Sequence, residues 1–313
     1  MSDQLRRQEP ILAVVGPTAS GKTATALALA QEFGGELVGA DSVQVYRGFD
    51  IGSAKPNAAE LAGIAHHMID IAEADQPIDA AEYAALADTA IDSVFERGRV
   101  PIVVGGTGLW LRALLRGLVE LPKVDPGLRA ELSREADTVG VAAMHNRLRE
   151  VDPLAAENIH ANDRVRILRA LEVHRQTGRP LGELQREHSL GGPRYNAHIY
   201  VLWEDPDVLT ARIVSRTDTM LRLGFRDEVA RLLARFGPDV RALGSVGYRE
   251  MVAHVAGNAS MEETRTRIVQ STRIYARRQR TWWNNEPGVR ARTTAQNMLS
   301  AASFDLIRSH LNK

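Results

Sequence analysis

Gly16, Gly21, Lys22 and Thr23, within ILAVVGPTASGKT (residues 11–23), stand at the spacing G-x-x-x-x-G-K-[ST]. Phosphate chemistry needs this spacing. Glycines let the backbone curl so that consecutive N–H groups face one concavity, and a helix starting there adds its positive end. Gly16, Pro17, Thr18, Ala19, Ser20, Gly21, Lys22 and Thr23 are therefore the candidate diphosphate cradle. Lys22 would reach the outer phosphate and the Thr23 hydroxyl would sit on Mg²⁺. A second candidate is Asp41, which ends the apolar run ELVGA (residues 36–40). A third is Thr107 in the turn GGTG (residues 105–108), which follows VPIVV. Together these residues describe a protein that binds a di- or triphosphate beside one carboxylate.

Such groups must be held by something. The runs at 11–15, 36–40 and 100–104 read as buried strands, with helical patterns at 24–33 and 80–97 between them. Alternating strand and helix predicts a parallel, doubly wound sheet, which binds ligands at the carboxyl ends of its strands. All three candidate groups fall at such ends. From about Arg116 the pattern changes, and 118–194 shows only helical periods broken by Pro and Gly. The expected fold is thus an α/β parallel sheet with a phosphate loop, flanked by helices and carrying an all-helical insertion. Its core would be residues 1–116 and 195–313, with the insertion at 117–194. NAHIYVLW (196–203) restores a strand, and everything after it reads as helical, with a capping box at Ser260 and Glu263.

Composition excludes several classes. The chain has 313 residues, 44% hydrophobic and 25% charged, and no cysteine, so disulfides, thiolate nucleophiles and Cys-ligated metals are ruled out. The N-terminal stretch MSDQLRRQEP has no signal-peptide core and no apolar run nears membrane-spanning length. A cytoplasmic protein with no membrane contact, acting as a monomer, is expected. Net charge is zero but uneven. Residues 1–100 carry 7 Lys+Arg against 15 Asp+Glu, and the remainder carries 32 against 24. A basic later portion suits a polyanionic partner, although solvated helix faces carry such charge too.

Two further patterns admit competing readings. Adjacent His66 and His67 diverge on a helix or strand, so packing or loop hydrogen bonds are favoured over metal ligation. Residues 264–285 hold six arginines (265, 267, 273, 277, 278, 280) and no acid, interleaved with Tyr275, Trp282 and Trp283. That suits backbone contact and base stacking on RNA, with Arg277 and Arg278 as candidates, or equally a solvated basic helix with aromatics in the core. A small-molecule kinase is the obvious class for the loop. Against it, no later apolar strand ends in an Asp suited to Mg²⁺ or to activating water.

The chain resembles the tRNA dimethylallyltransferases, or tRNA isopentenyltransferases. The matching stretches are GPTASGKT (16–23), DSVQVYRGFDIGSAKP (41–56), HHMID (66–70) and GGTG (105–108). They continue with NDRVRILRALEV (162–173), VGYRE (246–250) and YARRQRTWW (275–283). They occur in family order and span nearly the whole chain. The chain departs from the family pattern at Ser53, at Ala65, and over EDPDVLTARIVSR (204–216), which lacks the usual Asp-Arg-x-x-Leu-Tyr.

The resemblance implies transfer of a dimethylallyl group from dimethylallyl diphosphate to N6 of adenosine 37 in the tRNA anticodon stem-loop, giving N6-isopentenyladenosine. It implies catalytic roles for Asp41 as base and for Lys22, Thr23, Thr107 and Arg216 around the diphosphate. It also implies tRNA contacts by Asp41, Ser42, Val43, Gln44, Thr107 and Arg129. In the insertion the matching segment is Val165, Arg166, Ile167, Leu168 and Arg169. Near the end it is Gly244, Ser245, Val246, Gly247, Tyr248 and Arg249. Competing readings are an adenylate isopentenyltransferase or kinase on the same fold, and a non-catalytic tRNA-binding protein. A mononucleotide acceptor needs neither the insertion nor the basic helix, and a non-catalytic binder needs neither Asp41 nor Lys22.

Overall fold

A computed structural model describes residues 9–189 and 192–311; the N-terminal stretch read above for a leader falls largely outside them. The chain divides into two compact units, one from residues up to 117 and from 193 onward, the other from Leu118–Gly192.

The first unit is built on six parallel strands. They are β1 (Pro10–Val15), β2 (Gly35–Ala40), β3 (His66–His67), β4 (Val100–Gly105), β5 (Asn196–Leu202) and β6 (Val289–Thr293), in the order β3-β2-β4-β1-β5-β6. Central β1 is buried from Ile11 through Val15, as a parallel strand covered on both faces must be. Helices α1 (Lys22–Phe33), α2 (Ala80–Glu96) and α3 (Gly108–Arg116) follow β1, β3 and β4. Asp79 caps α2 by accepting from the N–H groups of Ala81 and Glu82 at 2.9 Å. One face of the sheet closes over a core of Leu12, Val14, Leu29, Leu37 and Ile102.

Register is what matters for function. Val15 pairs with Gly105, and Gly105 pairs with Ala40. The three central strands therefore end level, and the next residues, Gly16, Gly106 and Asp41, leave the sheet side by side. Gly105 is required there, because a Cβ would lie 2.2 Å from the carbonyl oxygen of Ala40.

The regular secondary structure among the second unit's described residues is all helix: α4 (Pro126–Val139), α5 (Val141–Val151), α6 (Pro153–Asn158), α7 (Arg164–Thr177) and α8 (Leu181–Ser189). Its core gathers Leu132, Met144, Leu148, Ile167 and Leu171. Fully buried Glu172 is held there by Arg129, by Arg169 at 3.2 Å and by the Asp125 N–H at 3.0 Å.

The first unit resumes after β5 with α9 (Pro206–Arg222), α10 (Phe225–Phe236), α11 (Tyr248–Val255), α12 (Met261–Asn285) and α13 (Ala301–Leu311). The capping box at Ser260 and Glu263 starts α12. The expectation that nothing but helix follows β5 is wrong, because β6 pairs with it in parallel. VRART mixes arginines with small residues, and its exposure alternates as suits an edge strand, so it shows no apolar run. His66-His67 likewise forms a two-residue edge strand on β2. Among the described residues no helix is long and apolar enough to cross a membrane.

Candidate active site

The phosphate loop leaves β1 through Gly16 (φ +145°), whose Cβ would lie 2.7 Å from the Leu202 carbonyl oxygen. It enters α1 through Gly21 (φ +90°), with Ala19 also at positive φ. Side chains rarely tolerate these conformations, so the concavity depends on the glycines. The first turn of α1 leaves its N–H groups without intrahelical partners, aimed into the loop. Lys22 folds back over it and donates to the Pro17 carbonyl at 2.7 Å.

Two adjoining cavities open on this edge. The smaller, about 70 Å³, is lined by Thr18, Lys22, Thr23, Asp41, Gly106 and Arg216. The larger, about 360 Å³, shares Thr18, Asp41, Ser53 and Arg216 with it, and extends between α9, α12 and the turn before α11. A stripe on α9, Ile213, Arg216, Thr217 and Met220, forms one wall. Asp41 and Arg216 thus stand where the two spaces meet.

The electrostatics favour an anion in the smaller space. Burial, then the nearby Arg216 cation, lower the Lys22 pKa to about 7, with Asp41 partly opposing them. Burial also lowers the Arg216 pKa, again against Asp41. Two desolvated cations sharing one carboxylate are relieved by further negative charge. Arg216 also donates to the Ser53 carbonyl at 3.1 Å.

Asp41 serves the loop with one oxygen only. Its Oδ1 accepts from the N–H groups of Val43 (2.9 Å) and Gln44 (3.3 Å). Among the described residues Oδ2 takes no hydrogen bond. The capping role and a basic role are therefore compatible in one carboxylate. Thr107 Oγ1 accepts from the Ser42 N–H at 3.2 Å, tying the turn after β4 to the turn after β2. Beside it, burial and the Asp41 charge push the Tyr275 phenol up to about 12, so it remains protonated.

The segment 41–56 is locked by partners inside and outside it. Lys55 bridges Asp50 (2.7 Å) and Asp70, and donates to the Tyr46 carbonyl at 2.9 Å. Buried Glu228, on α10, accepts from the N–H groups of Asp50, Ile51 and Gly52 at 3.1, 2.6 and 3.1 Å. It also accepts from the Tyr248 hydroxyl at 2.7 Å. Gly52 must be glycine, since a Cβ would lie 2.1 Å from the Phe225 ring.

The predicted contact residues separate into groups. Ser42, Val43, Gly244, Ser245, Val246 and Gly247 line the larger cavity, with Tyr248 and Arg278. Gln44 lines the smaller one and donates to the Ser53 carbonyl at 3.0 Å. Arg249 is turned to Glu250 (2.8 Å) and Ser271 (3.1 Å). Arg277 faces a different groove, between α9 and α12, with Arg273 and Arg280. In the helical unit Val165 and Arg166 are exposed, at 70% and 66%. Ile167 and Leu168 are core residues, and Arg129 and Arg169 pair with Glu172.

Of the two readings of 264–285, the aromatics follow the structural one. Trp283 is 1% exposed, Trp282 packs on Gly108 with Arg112 over its ring at 4.2 Å, and Tyr275 lines the cavity. Neither tryptophan is an open stacking platform, and Tyr275 faces the cavity instead of the outer helix surface. Arg265 pairs with Asp218 at 2.6 Å, and Arg280 lies over the Trp203 ring at 4.2 Å. Arg267, Arg273, Arg277 and Arg278 remain exposed.

Sequence reasoning missed Gln279 and Glu228. Gln279 carried a signal: with Tyr275 and Trp282 it falls at i, i+4 and i+7, one helix face. Glu228 carried none, since its N–H partners lie about 177 residues away.

Comparison with known proteins shows the family. The family model described as IPP transferase matches residues 44–286. A tRNA dimethylallyltransferase of Anaeromyxobacter is 50% identical over 279 residues, 89% of this chain and 91% of that protein. Another, from Pelobacter propionicus, is 48% identical over 280 residues, with the same shares covered. The crystal structure of the tRNA isopentenylpyrophosphate transferase of Bacillus halodurans superposes with a TM-score of 0.71 at 36% identity, covering 97% of each chain. A eukaryotic dimethylallyltransferase acting on tRNA shares the fold, with a TM-score of 0.77 at 24% identity over 96% of this chain and 80% of that one. By the matched span, the identities and the shared sheet, this chain belongs to the IPP transferase family, the tRNA dimethylallyltransferases.

Proposed function

We propose that this chain transfers a dimethylallyl group from dimethylallyl diphosphate to N6 of adenosine 37 in tRNA. The observation that carries this reading is the level ending of β1, β4 and β2, which sets the phosphate loop and Asp41 across one shared cavity mouth. The diphosphate lies in the smaller space, under the loop N–H groups, Lys22 and Arg216. These groups stabilise charge that grows as the bond from the prenyl carbon to oxygen breaks. Adenine, extruded from its stack, enters the larger space. Its amine attacks the prenyl carbon and gives its proton to Asp41 Oδ2, while Oδ1 stays on the Val43 and Gln44 amides.

Mg²⁺ fits this arrangement. Among the described residues no three His, Asp or Glu converge on a metal position. Mg²⁺ on a phosphate needs only one or two protein oxygens, the rest being phosphate and water. Thr23 would hold it through its hydroxyl, and the ion would supply charge neutralisation on the leaving diphosphate. In the helical unit, Val165 and Arg166 are the implied contact residues whose side chains are exposed for tRNA.

The test is mass analysis of nucleosides from unmodified tRNA incubated with the protein, Mg²⁺ and dimethylallyl diphosphate. N6-isopentenyladenosine at position 37, with release of diphosphate, is expected. Unmodified tRNA alongside prenylated free adenylate would favour the mononucleotide reading instead.

A further inference from the structure

Gln279 is 6% exposed, and its side-chain amide sits between the tips of β1 and β4. Its Oε1 accepts from the Thr18 N–H at 2.7 Å and from the Thr18 hydroxyl at 3.1 Å. Its Nε2 donates to the Gly106 carbonyl at 2.9 Å. Both ends of the amide are thereby used, the oxygen as acceptor on one side and the nitrogen as donor on the other. Gly106 makes room for it: a Cβ there would lie 2.3 Å from Nε2. The partners are 261 and 173 residues distant in the chain, so no local folding preference accounts for the contact.

The links run further. Gly106 adjoins Thr107, whose hydroxyl accepts from the N–H of Ser42, the neighbour of Asp41. A continuous path therefore joins the phosphate loop at Thr18, through Gln279, Gly106, Thr107 and Ser42, to Asp41. We propose that Gln279 is a positioning residue that fixes the separation between the leaving-group cradle and the base. This rests on the function proposed above. Displacement at the prenyl carbon needs the leaving oxygen, the carbon and the attacking nitrogen in line. A misplacement of about 1 Å in such a geometry costs up to about a hundredfold in rate. Gln279 lines the smaller cavity, but both polar ends of its amide are already taken up by Thr18 and Gly106. It acts by holding Thr18 and Gly106 in one rigid wall.

The experiment compares the wild type with Gln279→Leu, which keeps the bulk without either hydrogen bond, and Gln279→Glu. The glutamate retains an acceptor for Thr18 but turns an oxygen toward the Gly106 carbonyl and adds negative charge beside the cradle. Three quantities are read: calorimetric affinity for inorganic diphosphate with Mg²⁺, single-turnover rate at saturating tRNA and dimethylallyl diphosphate, and tRNA affinity. The expected result is a rate lowered up to about a hundredfold in both variants. Diphosphate affinity should fall more in Gln279→Glu than in Gln279→Leu, with tRNA affinity within twofold of wild type, roughly the scatter of context effects. If the leucine variant fails to fold, the glutamate variant, nearly the same shape, carries the same comparison. A rate and a diphosphate affinity equal to wild type would overturn the proposal, as would a parallel fall of all three quantities with the unfolding midpoint. The diphosphate measurement needs no prenyl transfer. A wild type that binds diphosphate but modifies no tRNA would therefore count against the proposed function, while a loss of diphosphate affinity in the variants would still support the clamp.

Discussion

The cradle and the larger cavity meet at Asp41 and Arg216, yet they are built by different means. The cradle is one eight-residue segment, shaped by positive-φ backbone at Gly16, Ala19 and Gly21 and facing its ligand largely with N–H groups. The cavity draws its walls from residues 41–53, 213–220, 244–248 and 268–278, and faces its ligand with side chains. A backbone cradle recognises phosphate on anything. A side-chain cavity assembled from distant segments can select the group that accepts the transfer. On the function proposed above, transfer occurs at the boundary between them, and among the described residues Asp41 is the one carboxylate lining both spaces.

The largest expected effect comes from separating the two at that boundary. Asp41→Asn preserves size and the acceptor for the Val43 and Gln44 amides but cannot take a proton. Single-turnover transfer should fall by about 10²–10⁴-fold with both substrates still bound. Recovery of the rate at high Mg²⁺ would show that the carboxylate served the metal instead.

Breaking the cavity without touching the cradle is the next test. Glu228→Ala leaves three N–H groups and the Tyr248 hydroxyl without their acceptor. Urea unfolding should show a loss of about 3 kcal/mol or more, since each buried polar group left unpaired costs about 1–3 kcal/mol. Affinity for inorganic diphosphate in the surviving folded fraction should stay near wild type. A variant of unchanged stability would mean that Glu228 does not hold residues 50–52 in place.

The sequence showed these two regions unequally. The cradle is legible because backbone conformation is written locally: two glycines, a lysine and a threonine at fixed spacing imply it. The sheet was legible for the same reason, as its central strands are continuous apolar runs. β6 was not, because an edge strand half in water needs no such run. Gln279, Glu228 and the Lys55 bridges depend on residues brought together only by the complete fold. Arg129 and Arg169, which the family resemblance implies for tRNA, show a further role the sequence did not: both pair with a buried glutamate.

Smaller effects sharpen the contrast on the surface of α12. Arg278 lines the cavity while Arg277 faces the neighbouring groove. If both meet tRNA phosphates, each alanine substitution should flatten the log–log salt slope of tRNA binding by about 0.7 to 0.9. An unchanged slope for Arg277→Ala alone would confine the RNA path to the cavity side.

The smallest effect lies at the opposite end of the sheet. Hydrogen bonds from Arg97 and from His67 hold the Glu36 pKa at about 2 instead of 4.5, against the opposing effect of burial. A folded pKa below the unfolded one gives stability that is present above about pH 4.5 and is lost as pH falls toward 2. Glu36→Gln should flatten the melting-temperature profile across that window and leave transfer at neutral pH unaltered. A transfer defect there would extend the functional region beyond the strand carboxyl ends.

The central claim is that the cradle handles the departing diphosphate while other surfaces hold the tRNA. Lys22→Ala, read by single-turnover rate and by tRNA filter binding on the same preparation, tests it most directly. Removing one donor aimed at developing charge should lower the rate by about 10²–10³-fold, with tRNA affinity nearly intact. A normal rate accompanied by lost tRNA affinity would contradict the account.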